Sequence, residues 1–257
     1  MTPNEHVDAV AAETHRFATA VRSADPATPV PTCPDWTLAD LLRHAGSVQR
    51  WFTVLLRQRI QTPPTSRDVD LKLPERAEDY PAWLTEAGAE AAATFAETDL
   101  DAPMWAWGAD QHARFWVRRM LFETLVHRVD AELALGLGPE IDPDLAADGV
   151  AEFLTNLPHA TLFAPHTAKL RAADRTLRFT RTDGDGDWLI HLRPDGFGLA
   201  PADTTATATT ADADATVSAT AADLLLLLYG RTDRSAPGIT ASGDEELLDL
   251  WFTNSAF

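Results

Sequence analysis

"LFETLVHRVDAEL" (residues 121–133) decides how the rest of this chain is read. Projected as a helix together with the residues before it, Phe115, Phe122, Val126, Val129 and Leu133 fall on one face. Trp116, Met120, Glu123 and His127 fall on a second face, with Asp130 beside it. A surface helix carries one apolar stripe, so a helix that is apolar on two faces is enclosed by other elements. The spacing predicts an interior helix near His112 to Leu135, ended by "GLG", within a helical bundle. Glu123 and His127 stand one turn apart, with Cβ atoms about 5–6 Å from each other. Such a pair suits two ligands of one metal ion, and it equally suits an ordinary polar pair. Enclosure sharpens the question, because a buried carboxylate needs a partner. Arg119, one turn earlier, is the plain structural partner for Glu123. A salt bridge alone leaves His127 without a role.

The flanking sequence supplies the other helices. Val7, Val10, Thr14, Phe17 and Val21 recur at three- and four-residue steps, giving a first amphipathic helix. "PTCPDW" (31–36) breaks the chain, and "TLAD" (37–40) opens a second helix with Thr37 as N-cap and Asp40 three residues on. Leu38, Leu41, Ala45, Val48, Phe52 and Leu55 form its stripe. After the polar connection "TPPTSRDVDLKLPER" (62–76) comes an Ala-rich third helix from Tyr80 to Glu97. Asp142 followed by Pro143 marks a fifth start. From about residue 160 the period changes. "TLRFTRT" (176–182) and "WLIHLRP" (188–194) alternate like strands, and "DGDGD" (183–187) between them is a hairpin turn rather than a calcium loop. The Ala-, Thr- and Asp-rich stretch from Ala200 to Ala222 reads as either strand or loop. Two helices, "AADLLLLLYG" (221–230) and "DEELLDLWF" (244–252), follow. The expected fold is α+β and mainly α: a four-helix bundle over residues 1–160 and a smaller α/β domain over 161–257.

Composition excludes several classes. A net charge of −18 repels nucleic acid and anionic membranes, both of which call for clustered Lys and Arg. The single cysteine, Cys33, rules out an internal disulfide. The first residues lack the basic start and apolar core of a signal peptide, and no apolar run reaches the roughly 20 residues of a membrane helix. The expectation is a cytoplasmic protein.

His44 adds weight to the pair on the fourth helix. It flanks the second helix's stripe, between Leu41 and Val48. A packed histidine bonded to a carbonyl accounts for it, but helical bundles build metal sites from inward side chains on facing helices. His44, Glu123 and His127 would give three ligands and an open fourth position, as in catalytic zinc; the donors alone admit nickel or iron as well. The HExxH order of zinc proteases is absent. Histidines 6, 15, 112, 159, 166 and 191 show no comparable pairing. Cys33 reads as a packed thiol with no neighbour in sequence to activate it.

"CPDWTLADLLRHAG" (33–46), "FETLVHRVD" (122–130) and "DLLLLLYGR" (223–231) together resemble the mycothiol-dependent maleylpyruvate isomerase family of actinobacteria, over nearly the whole chain. The resemblance implies a DinB-like metal-binding bundle and a C-terminal α/β domain similar to sterol-carrier proteins. It places one zinc ion on His44, Glu123 and His127, and a role in activity on Arg231. It further implies mycothiol as thiol cofactor. A thiol on zinc is deprotonated, and its thiolate adds to an activated double bond of a small electrophilic anionic substrate. Elimination after rotation makes the enzyme a cis–trans isomerase; capture makes it a mycothiol S-transferase. The partners implied are that substrate and a low-molecular-weight thiol, with no nucleic acid and no membrane, and a monomer is favoured. Two other classes stay open: a metal-dependent hydrolase with zinc-bound water, and a non-catalytic small-molecule binding protein with structural zinc. Asp40, one turn before His44, is the fourth ligand the latter would require.

Overall fold

A computed structural model describes residues 1–64, 69–200 and 213–256. Its contacts divide the chain into Met1–Glu140 and Ile141–Phe257. The sequence pattern put that boundary at 160/161. The difference lies in α5 (Pro143–Asn156), which is helical in period but packs against a helix of the second unit, Ala221–Leu228, here α6.

The first unit is a four-helix bundle of α1 (Pro3–Val21), α2 (Leu38–Gln58), α3 (Tyr80–Glu97) and α4 (Ala113–Ala134). α1 packs on α3 and α4, and so does α2, which sets α1 and α2 on one diagonal and makes α2 the neighbour of α4. The enclosure of α4 read from its two apolar faces is met: Trp116, Met120, Phe122, Leu125 and Val129 are fully buried. Each such side chain contributes roughly 1.5–3 kcal/mol over its exposed state. α2 begins with the expected reciprocal cap, Thr37 accepting from the Asp40 amide and Asp40 accepting from the Thr37 amide and hydroxyl. Inside the bundle, Gln49 of α2 donates to Thr14 of α1 at 2.9 Å and to Thr124 of α4 at 3.1 Å, fixing the three helices in register. On the other flank of α2, a Cβ at Gly46 would lie 2.3 Å from the Trp83 ring, so only glycine lets α3 approach that closely.

The segment between α1 and α2 folds back on itself. Val30 donates its amide to Trp36, Leu38 to Thr28 and Ala39 to Pro26, each at 2.9 Å. Val30 then plugs a core of Phe17, Leu38, Leu41, Leu42 and Leu84, against which Cys33 and Trp36 also pack.

In the second unit, β1 (Arg175–Arg181), β2 (Asp187–Arg193), β3 (Gly196–Leu199), β4 (Ala215–Ala219) and β5 (Thr240–Gly243) form a mixed sheet of order β3-β2-β1-β4-β5, with only β1 and β4 parallel. The predicted hairpin is present, with Thr180 opposite Asp187 across the Asp-Gly turn. β4 alternates in burial and supplies the strand reading for part of the Ala200–Ala222 stretch, whose residues 201–212 lie outside the described residues. α6 (Ala221–Leu228) and α7 (Glu245–Asn254) complete the unit. α6 stops as its sequence requires: Gly230 takes φ +70°, its amide bonds Leu227 O at 3.0 Å, and the Arg231 amide bonds Leu226 O at 2.7 Å. This pair of bonds closes a helix end around a left-handed glycine and fixes the residue that follows. No helix among the described residues is long and apolar enough to cross a membrane.

Candidate metal centre

α2 and α4 are adjacent, and their facing turns bring His44, Glu123 and His127 together. His44 Nε2 lies 3.0 Å from Glu123 Oε1, and His127 Nε2 lies 3.4 Å from the same oxygen. The three donor atoms all fall within 4.8 Å of one another. The other carboxylate oxygen, Oε2, faces Arg119 Nη2 at 3.5 Å. Glu123 therefore turns one oxygen to each of the two partners that the sequence left in competition, the histidines and Arg119.

These separations bear on whether a metal fits. Ligand atoms about 2.0–2.1 Å from a tetrahedral zinc ion stand roughly 3.3 Å from each other. The spacings of 3.0 and 3.4 Å to Glu123 Oε1 are those of such a polyhedron's edges. Two imidazoles and one carboxylate form a donor set suited to zinc and its neighbours in the first transition row. The residues fit.

The surroundings set the charges. Burial disfavours ionised Glu123, but hydrogen bonds from His127 and His44 and the Arg119 charge outweigh it and hold the carboxyl well below its usual range. Burial also disfavours a charged His127, yet Asp130, Cys33 and Glu123 outweigh it and hold the imidazole well above its usual range. Asp130 Oδ2 sits 2.9 Å from His127 Nδ1. Trp36 stands over the histidines, its ring centroid 5.2 Å from that of His44 and 6.3 Å from that of His127. The His44 side chain is 35% exposed against 10% for His127, so access to the cluster is from the His44 side. There a cleft of about 320 Å³ opens, lined by Trp36, Asp40, Arg43, His44, Ser47, Leu71 and Leu73.

The remaining candidates fall as follows. Asp40 is committed to the α2 cap and to Arg43 at 3.0 Å, and it is not in the donor cluster. Cys33, read as a packed thiol with no neighbour in sequence to activate it, donates its Sγ–H to Asp130 at 3.4 Å and groups with His127 and Asp130. Sequence reasoning passed over this placement, and it passed over Trp36 in the same motif. Arg231 belongs to the second unit, half-buried, with Nη1 donating to Tyr229 O at 2.7 Å.

Comparison with known proteins adds a second line of observation. Residues 7–132 match the family model for the mycothiol maleylpyruvate isomerase N-terminal domain, and residues 144–250 match that for its C-terminal domain. No curated protein matches the sequence. Among solved structures, the chain is similar to a crystal structure of the mycothiol-dependent maleylpyruvate isomerase, with 15% identity, a TM-score of 0.62, and 94% of this chain and 93% of that chain covered. A histidine-to-alanine mutant of that isomerase gives a TM-score of 0.64 at 15% identity, with the same coverage of 94% and 93%. At that identity the two structures speak for the fold.

Proposed function

The chain belongs to the mycothiol-dependent maleylpyruvate isomerase family, and from that premise we propose a zinc-dependent enzyme that uses mycothiol on a small, electrophilic, anionic substrate. The reaction is a cis–trans isomerisation of the maleylpyruvate type or a transfer of the thiol to the substrate. The observation that carries this reading is the convergence of His44, Glu123 and His127 from two adjacent helices, with one side open to the cleft at Trp36.

Zinc held by these three residues would supply Lewis acidity, the chemistry that makes a thiol acidic enough to act as a nucleophile at neutral pH. The chain's own groups do the rest. His44 and His127 each offer Nε2 to the centre, and Glu123 offers Oε1 while Arg119 neutralises Oε2. The α2 cap uses up the Asp40 carboxylate, which supports a centre with three protein ligands and room for an outside one. Cys33 spends its S–H on Asp130, so the nucleophile is an external thiol rather than this one. Arg231, held at the closed end of α6, is the proposed anchor for the substrate carboxylate, to which its planar fork is suited.

Metal analysis and steady-state kinetics, with and without mycothiol, test this reading. We expect about one zinc per chain, the content of a single three-ligand site, and turnover only when the thiol is added. Arg231→Lys keeps the charge and loses the fork, so turnover should fall about ten- to hundred-fold while zinc is retained, the effect of one charged hydrogen bond. Equal turnover with and without thiol would replace this reading with metal-assisted hydrolysis.

A further inference from the structure

The Asp130 carboxylate is fully buried, and its partners come from two distant parts of the chain. Oδ1 accepts from the Thr32 hydroxyl at 2.6 Å. Oδ2 accepts from the Cys33 thiol at 3.4 Å and faces His127 Nδ1 at 2.9 Å. Thr32 and Cys33 belong to the segment that leads into α2, while Asp130 and His127 lie one turn apart on α4.

Given the metal centre of the preceding section, we propose that Asp130 is its positioning residue: clamped by Thr32 and Cys33, it keeps the His127 ring's proton on Nδ1, so that Nε2, on the side of Glu123 and His44, is the atom left to bind a metal. The argument is one of donors and acceptors. An ionised carboxylate only accepts hydrogen bonds, and two carboxylates face the ring: Asp130 at 2.9 Å from Nδ1 and Glu123 at 3.4 Å from Nε2. The closer contact keeps the proton when the ring has only one to give. A neutral imidazole protonated on Nδ1 has its lone pair on Nε2, the atom that stands 3.4 Å from Glu123 Oε1. A carboxylate behind a ligating histidine holds both tautomer and ring angle. The same clamp ties the approach to α2, which carries His44, to the helix that carries the other two donors. His44 has no such support: among the described residues, Glu123 is its sole hydrogen-bond partner. The two histidines are thus unequal, one fixed before any metal arrives and the other free to adjust.

Asp130→Asn tests the proposal with little change in volume. An asparagine can turn its amide N–H toward Nδ1, which then must accept, and the proton moves to Nε2 and blocks the lone pair. Two readouts besides activity follow. In metal-free protein, at a pH where the ring is neutral, the imidazole ¹⁵N spectrum should show His127 protonated on Nδ1 in the parent and on Nε2 in Asp130→Asn. Zinc affinity, measured by competition with a chelator, should fall about 10- to 100-fold in Asp130→Asn. It should fall by less in Thr32→Val, which keeps the carboxylate and loosens its clamp. Parent tautomer and parent zinc affinity in folded Asp130→Asn would overturn the proposal. So would an Nε2-protonated His127 in the parent, a measurement that stands even where the variant does not fold. A parent chain that binds no zinc at all would refute the metal reading instead, and the tautomer spectrum separates the two failures.

Discussion

His127→Ala will purify as a folded bundle with its metal lost and its turnover gone. Alanine is the best helix former, so α4 keeps its helix through the change. The centre does not survive it. Altering groups that merely orient a ligand costs about 10- to 100-fold in metal affinity, and deleting the donor itself costs more than that. The pH dependence makes the test specific. In the metal-free chain His127 titrates well above its usual range, so its charged form stabilises the fold. That contribution is complete below about pH 6.5, the unfolded value, and is lost as pH rises through the folded one. A cation bound at His127 must expel the same proton. Metal affinity should therefore run the opposite way, rising with pH by up to about tenfold per unit until the ring is neutral. Chelator competition across neutral pH should show this slope in the parent, while His127→Ala should take up no metal across the same range. Full metal retention in both His44→Ala and His127→Ala would remove the centre from these helices.

The second large effect lies away from the site. Arg128 is wholly buried on α4, with Nε 2.5 Å from Glu13 of α1, Nη1 bonded to Glu132, and Nη2 3.1 Å from Glu140 O. Arg128→Met leaves Glu13, itself buried, with the half-exposed Arg16 at 3.2 Å as its one remaining ion-pair partner among the described residues. Deleting one partner of a buried ion pair costs about 3–5 kcal/mol, because the other charge stays desolvated. Denaturant unfolding should show a loss of that size. The double change Arg128→Met with Glu13→Leu should recover part of it, since the buried Glu13 charge leaves with the guanidinium while Glu132 stays behind. A single variant within about 0.5 kcal/mol of the parent, the scatter of ordinary surface changes, would show the pair contributes nothing.

What the sequence disclosed follows the range of the interactions involved. The start of α2, the bounds of α3 and the start of α5 were legible because caps, prolines and 3.6-residue periods are local signals. Glu123 and His127 were legible because one turn of helix is local too, and His44 because it flanks a readable stripe. The clamp on Asp130 was not. Its halves are separated by 97 and 98 residues, and nothing near Thr32 or Cys33 points to an acid on α4. β3 and β5, four residues each with a glycine inside, were too short for an alternating pattern to show. α5 falls in the second contact unit rather than the first, which was not legible for a similar reason: its amphipathic face is visible in sequence, but the identity of the surface it covers is not.

The self-closed segment before α2 also governs how fast the site can open. Its bonds Leu38 N to Thr28 O and Ala39 N to Pro26 O anchor the first residues of α2 to the segment's own beginning. Trp36, Cys33 and Thr32, which cover His127, are carried between those anchors. Lifting this cover means unwinding the first turn of the helix that holds His44 and drawing Val30 out of the core. Loops tethered only at their ends fluctuate in nanoseconds to microseconds, whereas local unfolding of this kind belongs to microseconds or longer. Small molecules arriving faster than that have to enter beside His44, between Arg43 and the Leu71–Leu73 wall. The roof is slow and the side door is fast, so a small molecule entering by the cleft meets His44 before it reaches His127.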